Sequence, residues 1–175
     1  MLKVLLKDYR FIVHSSVLQV LKKISNIAGS KISFMALGQK LFEEVGKIAS
    51  FKVTKVHPLE GVTTEVSFMS DIKGIERFPS GKNLASGTMT KYPHGIIDAT
   101  WQGILTTQNA DEFMWWAHEK SKVSADGKIR GLNLVTGFTN SQKLSWMNNL
   151  IIVVELAGFV YSEEFCATAY EWTSA

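Results

Sequence analysis

The stretch from Gly95 to Lys120, GIIDATWQGILTTQNADEFMWWAHEK, constrains the fold more than any other part of the chain. Its first half alternates. Ile97, Ala99, Trp101, Gly103 and Leu105 fall on one side, and Asp98, Thr100, Gln102 and Thr106 fall on the other. Successive side chains of a β-strand point to opposite faces, so a period of two specifies a strand with one buried face. Gln108-Asn109-Ala110-Asp111 supplies a polar turn, and Phe113 to His118 returns as a second strand. This hairpin carries three of the five tryptophans.

The same texture extends from Ser50 to the C-terminus as short β-prone runs separated by turn residues. The runs are Phe51 to Val56, Val62 to Met69, Ile72 to Phe78, Leu84 to Thr90, Ile129 to Phe138, Asn148 to Val160 and Phe165 to Trp172. Turns fall at His57-Pro58-Leu59-Glu60-Gly61, Pro79-Ser80-Gly81, Tyr92-Pro93-His94-Gly95 and Ala125-Asp126-Gly127. About eight strands at this spacing, with few helical interruptions, specify an antiparallel barrel or sandwich. Eight strands close a barrel just wide enough to be filled by side chains or to hold one small ligand.

The first fifty residues read differently. Ser15 or Ser16 caps an expected helix in which Val17, Leu18, Val20, Leu21, Ile24 and Ile27 share a face, with Gly29 as its stop. Ser33 caps a second, in which Phe34, Leu37, Leu41, Val45 and Ile48 recur every three or four residues. Gly38 and Gly46 weaken this second helix by roughly 1 kcal/mol each relative to alanine. The expected organisation is therefore an N-terminal helical segment over 1–50, packed on a barrel domain over 51–175.

Charge and composition narrow the function classes. A hydrophobic fraction of 46% with 20% charged residues describes a globular chain. No apolar run approaches the roughly 18–20 residues of a membrane span, and MLKVLLKDYRF lacks the apolar core of a signal peptide, so a cytoplasmic protein is expected. The single cysteine, Cys166, excludes an internal disulfide and a cysteine-based zinc cage, and it is expected as a small core residue. Residues 1–57 hold ten Lys/Arg against Asp8, Glu43 and Glu44. That imbalance raises nucleic acid or another acidic partner as a possibility. The scattered lysines, the long Ala28–Ser33 connector and the absence of an Arg/Asn/Gln cluster disfavour DNA binding.

Few residues stand out as chemical groups. His14, His57, His94 and His118 are dispersed and form no metal-ligand pattern, so no metal is expected. His57 and His94, each beside a proline, read as turn imidazoles. His118 ends the Trp-Trp strand and is a candidate general acid or base at a barrel mouth. Glu155 lies in LIIVVEL, where a buried carboxyl would need a partner such as Arg130 or a proton. No phosphate loop and no nucleophile elbow occurs, and no cofactor is expected. Trp101, Trp115, Trp116, Trp146, Tyr170 and Trp172 form an aromatic set suited to an apolar or flat ligand, or to core and subunit interface.

The runs EVSF (Glu65 to Phe68), SGTMT (Ser86 to Thr90), Gln102-Gly103, IRG (Ile129 to Gly131), KLSWMNNLIIVVE (Lys143 to Glu155) and the closing YEW (Tyr170 to Trp172) come in a distinctive order. Over residues 62–172 this order resembles a family of uncharacterised prokaryotic proteins whose fold is similar to the allene oxide cyclase barrel. The chain departs from that pattern where Ala99-Thr100-Trp101 and Trp116-Ala117-His118 replace glycine-rich hairpin strands. The resemblance implies an antiparallel eight-stranded allene oxide cyclase-like or lipocalin-like barrel, and with the N-terminal helical pair read from residue spacing the expected protein is mainly β, α+β overall. The expected function is binding of a small apolar or aromatic ligand without catalysis, through Trp101, Trp115, Trp116, Arg130, Glu155 and Tyr170. Two alternatives stand beside it. One is a cyclase or isomerase working in the cavity, with Glu155 and His118 as the residues to watch. The other is a regulatory protein whose basic helices bind a partner or nucleic acid. Exposed strand edges and a tryptophan-rich surface also suggest a homodimer.

Overall fold

The computed structural model describes residues 37–159 and 162–173. Eight strands follow in chain order: β1 (Leu37–His57), β2 (Gly61–Gly74), β3 (Gly81–Lys91), β4 (Ile96–Thr107), β5 (Glu112–Val123), β6 (Lys128–Phe138), β7 (Ile152–Phe159) and β8 (Glu164–Trp172). Each strand pairs antiparallel with the next, and β8 returns to β1, so the sheet closes into a barrel. The barrel expected from strand spacing is present. The sandwich alternative is not.

The N-terminal helical pair requires correction. Its first member, 17–27, lies outside the described residues. The second is not a helix, because residues from Leu37 onward form β1 and are hydrogen-bonded to β8 and β2. The apolar spacing that mimics a helix has a specific origin. Pairing with β8 shifts register between Lys40 and Phe42, so the adjacent Leu41 and Phe42 are both buried. Beyond this irregularity β1 alternates, with Phe42, Glu44, Gly46 and Ile48 turned inward. Two of those four inward positions are a carboxylate and a glycine, which conceals the period of two. The glycine is required: a Cβ on Gly46 would lie 2.1 Å from the Phe165 ring of β8.

Two strand boundaries also move. The run Ile72 to Phe78 is not a strand of its own, since β2 ends at Gly74 and Ile75–Phe78 turns back with Ile75 N–H donating to Leu41 O at 2.8 Å. The long strand expected from Asn148 starts only at Ile152. Ser145–Asn149 instead forms a short 3-10 turn. Around this turn Leu144, Met147 and Leu150 are buried against Phe42, Ile72, Phe78, Leu105 and Phe113. The motif KLSWMNN thus plugs one end of the barrel. Asn148 anchors it by accepting from Thr139 N–H (2.7 Å) and donating to Thr139 O (3.1 Å). The Arg77 guanidinium, 4.1 Å above the Trp146 ring, covers its outside.

The remaining inward positions follow the pleat. Ile97, Ala99, Trp101, Gly103 and Leu105 of β4 face the lumen, as their alternation specified. Among the described residues no helix is long and apolar enough to cross a membrane.

Candidate functional site

Above the plug the barrel encloses a cavity of about 510 Å3. Its floor is apolar (Phe42, Ile72, Phe113, Ile152), and its rim is formed by Ile48–Phe51, Phe159 and Ser162–Phe165. Between them stands an aromatic wall. Phe68 meets Trp101 edge to face at 5.5 Å and Phe165 edge to face at 5.0 Å. Edge-to-face contacts of this kind fix ring orientation.

The tryptophans owe their positions to glycines. Trp115 leans from β5 across β4 at Gly103, where a Cβ would approach its ring to 2.5 Å. Its indole N–H thereby reaches β3 and donates to Asn83 Oδ1 at 2.9 Å. Trp101 leans over Gly87 in the same manner. Glycine in a strand often marks such close approach.

Two carboxyl groups are buried in this apolar setting. Glu44 is 8% exposed and accepts hydrogen bonds through Oε1 from Ser70 Oγ and from Asn83 Nδ2 (3.0 Å). Burial raises its pKa above the ordinary carboxylate value, and the bonds from Ser70 and Asn83 only partly oppose that shift. Glu119 is 4% exposed, accepting from Trp101 Nε1 at 2.8 Å and from Ser121 Oγ. Opposite it on β6, Asn133 lines the cavity with its Oδ1 buried and without a hydrogen-bond partner. These polar groups were not singled out in the sequence. Alternation on β5 would have found Glu119, which shares the parity of Phe113, Trp115 and Ala117.

The structure divides the residues that sequence reasoning proposed as a ligand site. Trp101 and Trp115 line the cavity. Trp116, Arg130, Glu155 and Tyr170 have the outward parity of their strands, with Trp116, Arg130 and Glu155 exposed. Glu155 stands opposite Leu132 and Thr168 and is apart from Arg130, which is opposite Ala157. His118 is likewise exposed on the outer wall of β5. Cys166, expected in the core, is exposed because it alternates with the inward Phe165 and Ala167. The turn histidines are used locally: His57 Nδ1 accepts from Leu59 N–H (3.3 Å) and Glu60 N–H (3.1 Å), and His94 stacks on Tyr92. Among the described residues no cluster of His, Cys, Asp or Glu could hold a metal.

Fold and site together define a closed eight-stranded antiparallel barrel, plugged at one end and hollow at the other. That fold recurs in solved structures of low sequence identity. A protein of unknown function from Clostridium acetobutylicum is similar with a TM-score of 0.68 and 14% identity, over 77% of this chain and 98% of that one. A conserved protein of unknown function from Rhodopseudomonas palustris gives 0.68 and 10%, over 81% and 99%. A β-barrel-like protein from Acinetobacter baumannii gives 0.69 and 12%, over 82% and 99%. No family model matches the chain, and no curated protein matches it by sequence. An enzyme from Penicillium herquei is also similar, with a TM-score of 0.51 and 14% identity over 79% of this chain and 98% of that one, and at these identities the likeness is one of fold alone.

Proposed function

We propose that this barrel binds a small apolar or aromatic molecule in its lumen and performs no chemistry on it. The observation that carries the reading is the cavity: about 510 Å3, walled by Phe68, Trp101, Trp115 and Phe165, with only a few convergent polar groups. Ligand sites have this size and this composition. The kinship with the allene oxide cyclase-like family is part of the same proposal, as are a cytoplasmic location and a prokaryotic origin.

The test is direct. Phenylnaphthylamine, a neutral aromatic dye, is expected to gain emission on entering the lumen and to quench tryptophan fluorescence. Ala117→Trp fills the cavity from a buried inward position and is expected to abolish both signals. Equal binding by Ala117→Trp and the parent chain would remove the lumen as the site.

One observation favours a second reading, a cyclase or isomerase in the same cavity. Glu44, with a raised pKa in an apolar chamber, has the character of a general acid. Glu155 and His118, on the outer wall, do not line that chamber. Turnover that is lost in Glu44→Gln while dye binding persists would establish this reading. The third reading, a partner or nucleic acid held by the basic N-terminal segment, falls largely on residues outside those described. A homodimer belongs to the proposal as well, supported by an apolar row on the outer wall.

A further inference from the structure

The polar lining of the lumen has one sign. Glu44, Glu119, Glu163 and Glu164 line the cavity or its rim, while no Lys, Arg or His does so among the described residues. The described residues hold thirteen Lys/Arg against fifteen Asp/Glu, so basic side chains are plentiful on the barrel and missing from this lining. Lys47 is nearby but ion-paired to Glu163 at 3.3 Å, with both side chains exposed.

The two deep carboxyls are held only by neutral donors. Glu119 takes one hydrogen bond on each oxygen, from an indole and a hydroxyl. A carboxylate has about four lone-pair positions, so half of its accepting capacity is unused. Beside it Asn133 Oδ1 is buried without a donor, an arrangement that is costly in a native interior. Glu44 accepts both of its bonds through Oε1, and none of its hydrogen bonds uses Oε2. Glu119 and Asn133 therefore present acceptors in excess, in a setting where a buried carboxylate lacks a counter-charge.

The aromatic wall adds the same preference. Trp101 is held with its indole N–H on Glu119, so the carboxylate and the ring are adjacent by construction. A cation set over a tryptophan face is stabilised by the ring quadrupole, and more so when desolvated. A carboxylate ligand would meet the opposite: like-charge repulsion with no basic partner.

We infer that the lumen selects an organic cation, an ammonium group on an apolar or aromatic body, with the ammonium bound by Glu119 and Asn133 and the body against Trp101, Phe68 and Phe165. This deepens the lumen-binding reading above and rests on it. An ammonium brings the donors that Asn133 Oδ1 and Glu119 lack, and its charge supplies the missing counter-ion. Neutral apolar molecules enter the same space without that gain.

Three matched probes separate the possibilities: naphthylmethylamine, naphthylmethanol and naphthoate, titrated calorimetrically into the full chain at neutral pH. The amine is expected to bind at least about tenfold more tightly than the alcohol, a difference of about 1.4 kcal/mol, and naphthoate not at all. Glu119→Gln keeps an acceptor for Trp101 or Ser121 while removing the charge. It is expected to bring the amine down to the alcohol's affinity, with a smaller change for the alcohol. Asn133→Leu, which removes the whole amide with its unpaired Oδ1, is expected to weaken the amine more than the alcohol. Should Glu119→Gln fail to fold, the probe series on the parent chain still decides. Alcohol binding as tightly as amine, or naphthoate binding at all, overturns the cation inference and leaves the lumen reading intact. If none of the three binds, both fall.

Discussion

Burial holds the Glu44 carboxyl above the ordinary carboxylate range, against the opposing hydrogen bonds from Ser70 and Asn83. A group whose folded pKa exceeds its unfolded one makes the folded state bind the extra proton between the two values. Its contribution to stability is fully present below the unfolded value, near 4.5, and is lost as pH rises through the folded value. Glu44→Gln removes the ionisation and retains an amide oxygen that can accept from Ser70. The variant is expected to melt at a higher temperature than the parent at neutral pH, and the two curves are expected to converge as pH falls toward 4.5. Thermal melts across that pH range check this, and parallel curves would refute a buried, perturbed carboxyl. The acid does not stand out in the sequence, because helical spacing over this stretch puts Glu44 on the solvent side of the expected second helix. Trp101 was legible, since it falls in an unbroken alternation with Ile97, Ala99 and Leu105.

At the scale of elements, the β4–β5 hairpin works because Gly103 on β4 is the floor over which Trp115 of β5 reaches Asn83 of β3. A methyl group there would sit 2.5 Å from the indole, and Leu84 O at 2.8 Å blocks escape on the other side. Overpacking of this kind costs about 1–3 kcal/mol. Gly103→Ala is expected to lose that much in denaturant unfolding and to free the Trp115 indole N–H, seen as a shifted side-chain resonance by NMR. An unchanged midpoint and resonance would mean that the ring adapts without cost. The hairpin itself was readable from sequence because its inward residues from Ile97 to Leu105 and from Phe113 to Ala117 are apolar or small, and only Glu119 breaks that run. β1 was not, since Glu44 and Gly46 hold inward positions and the shift at Leu41 and Phe42 imitates helical spacing. β7 hid its faces for a different reason: Ile152, Val153 and Val154 are all buried, so no alternation marks Glu155 as outward. The plug was missed because Leu144, Met147 and Leu150 have the periodicity of no strand and belong to a turn too short to register as a helix.

For the molecule as a whole, the distribution of polarity is the reverse of a membrane barrel, which has an apolar outer band and a polar interior. Here the lumen is apolar and the outer wall carries cross-strand ion pairs, Asp98 with Lys120, Asp71 with Lys82 and Glu65 with Lys52. Such exposed pairs add little stability, but they keep the wall wet. Exposed apolar side chains interrupt this wall, and one set of them is contiguous. Met69, Leu84, Ile104, Met114 and Phe138 stand opposite one another in successive strand registers, a straight apolar row across five strands. Met69 and Leu84 are each about 60% exposed, and Ile104 and Phe138 about 40%. Scattered exposed apolar residues need no explanation, whereas a contiguous row is the kind of surface that partners cover. The proposed homodimer uses this row, face to face about a two-fold axis, with Ile104 at its centre. A carboxylate at that position would be desolvated in both copies and would face its own symmetry mate. Ile104→Glu is therefore expected to raise the dimer dissociation constant by at least about tenfold, or 1.4 kcal/mol, while the far-ultraviolet spectrum of the barrel is unchanged. Light scattering on chromatographed protein measures this. A parent chain that stays monomeric at high concentration would instead show that the row is solvated, and the dimer would be withdrawn without effect on the lumen.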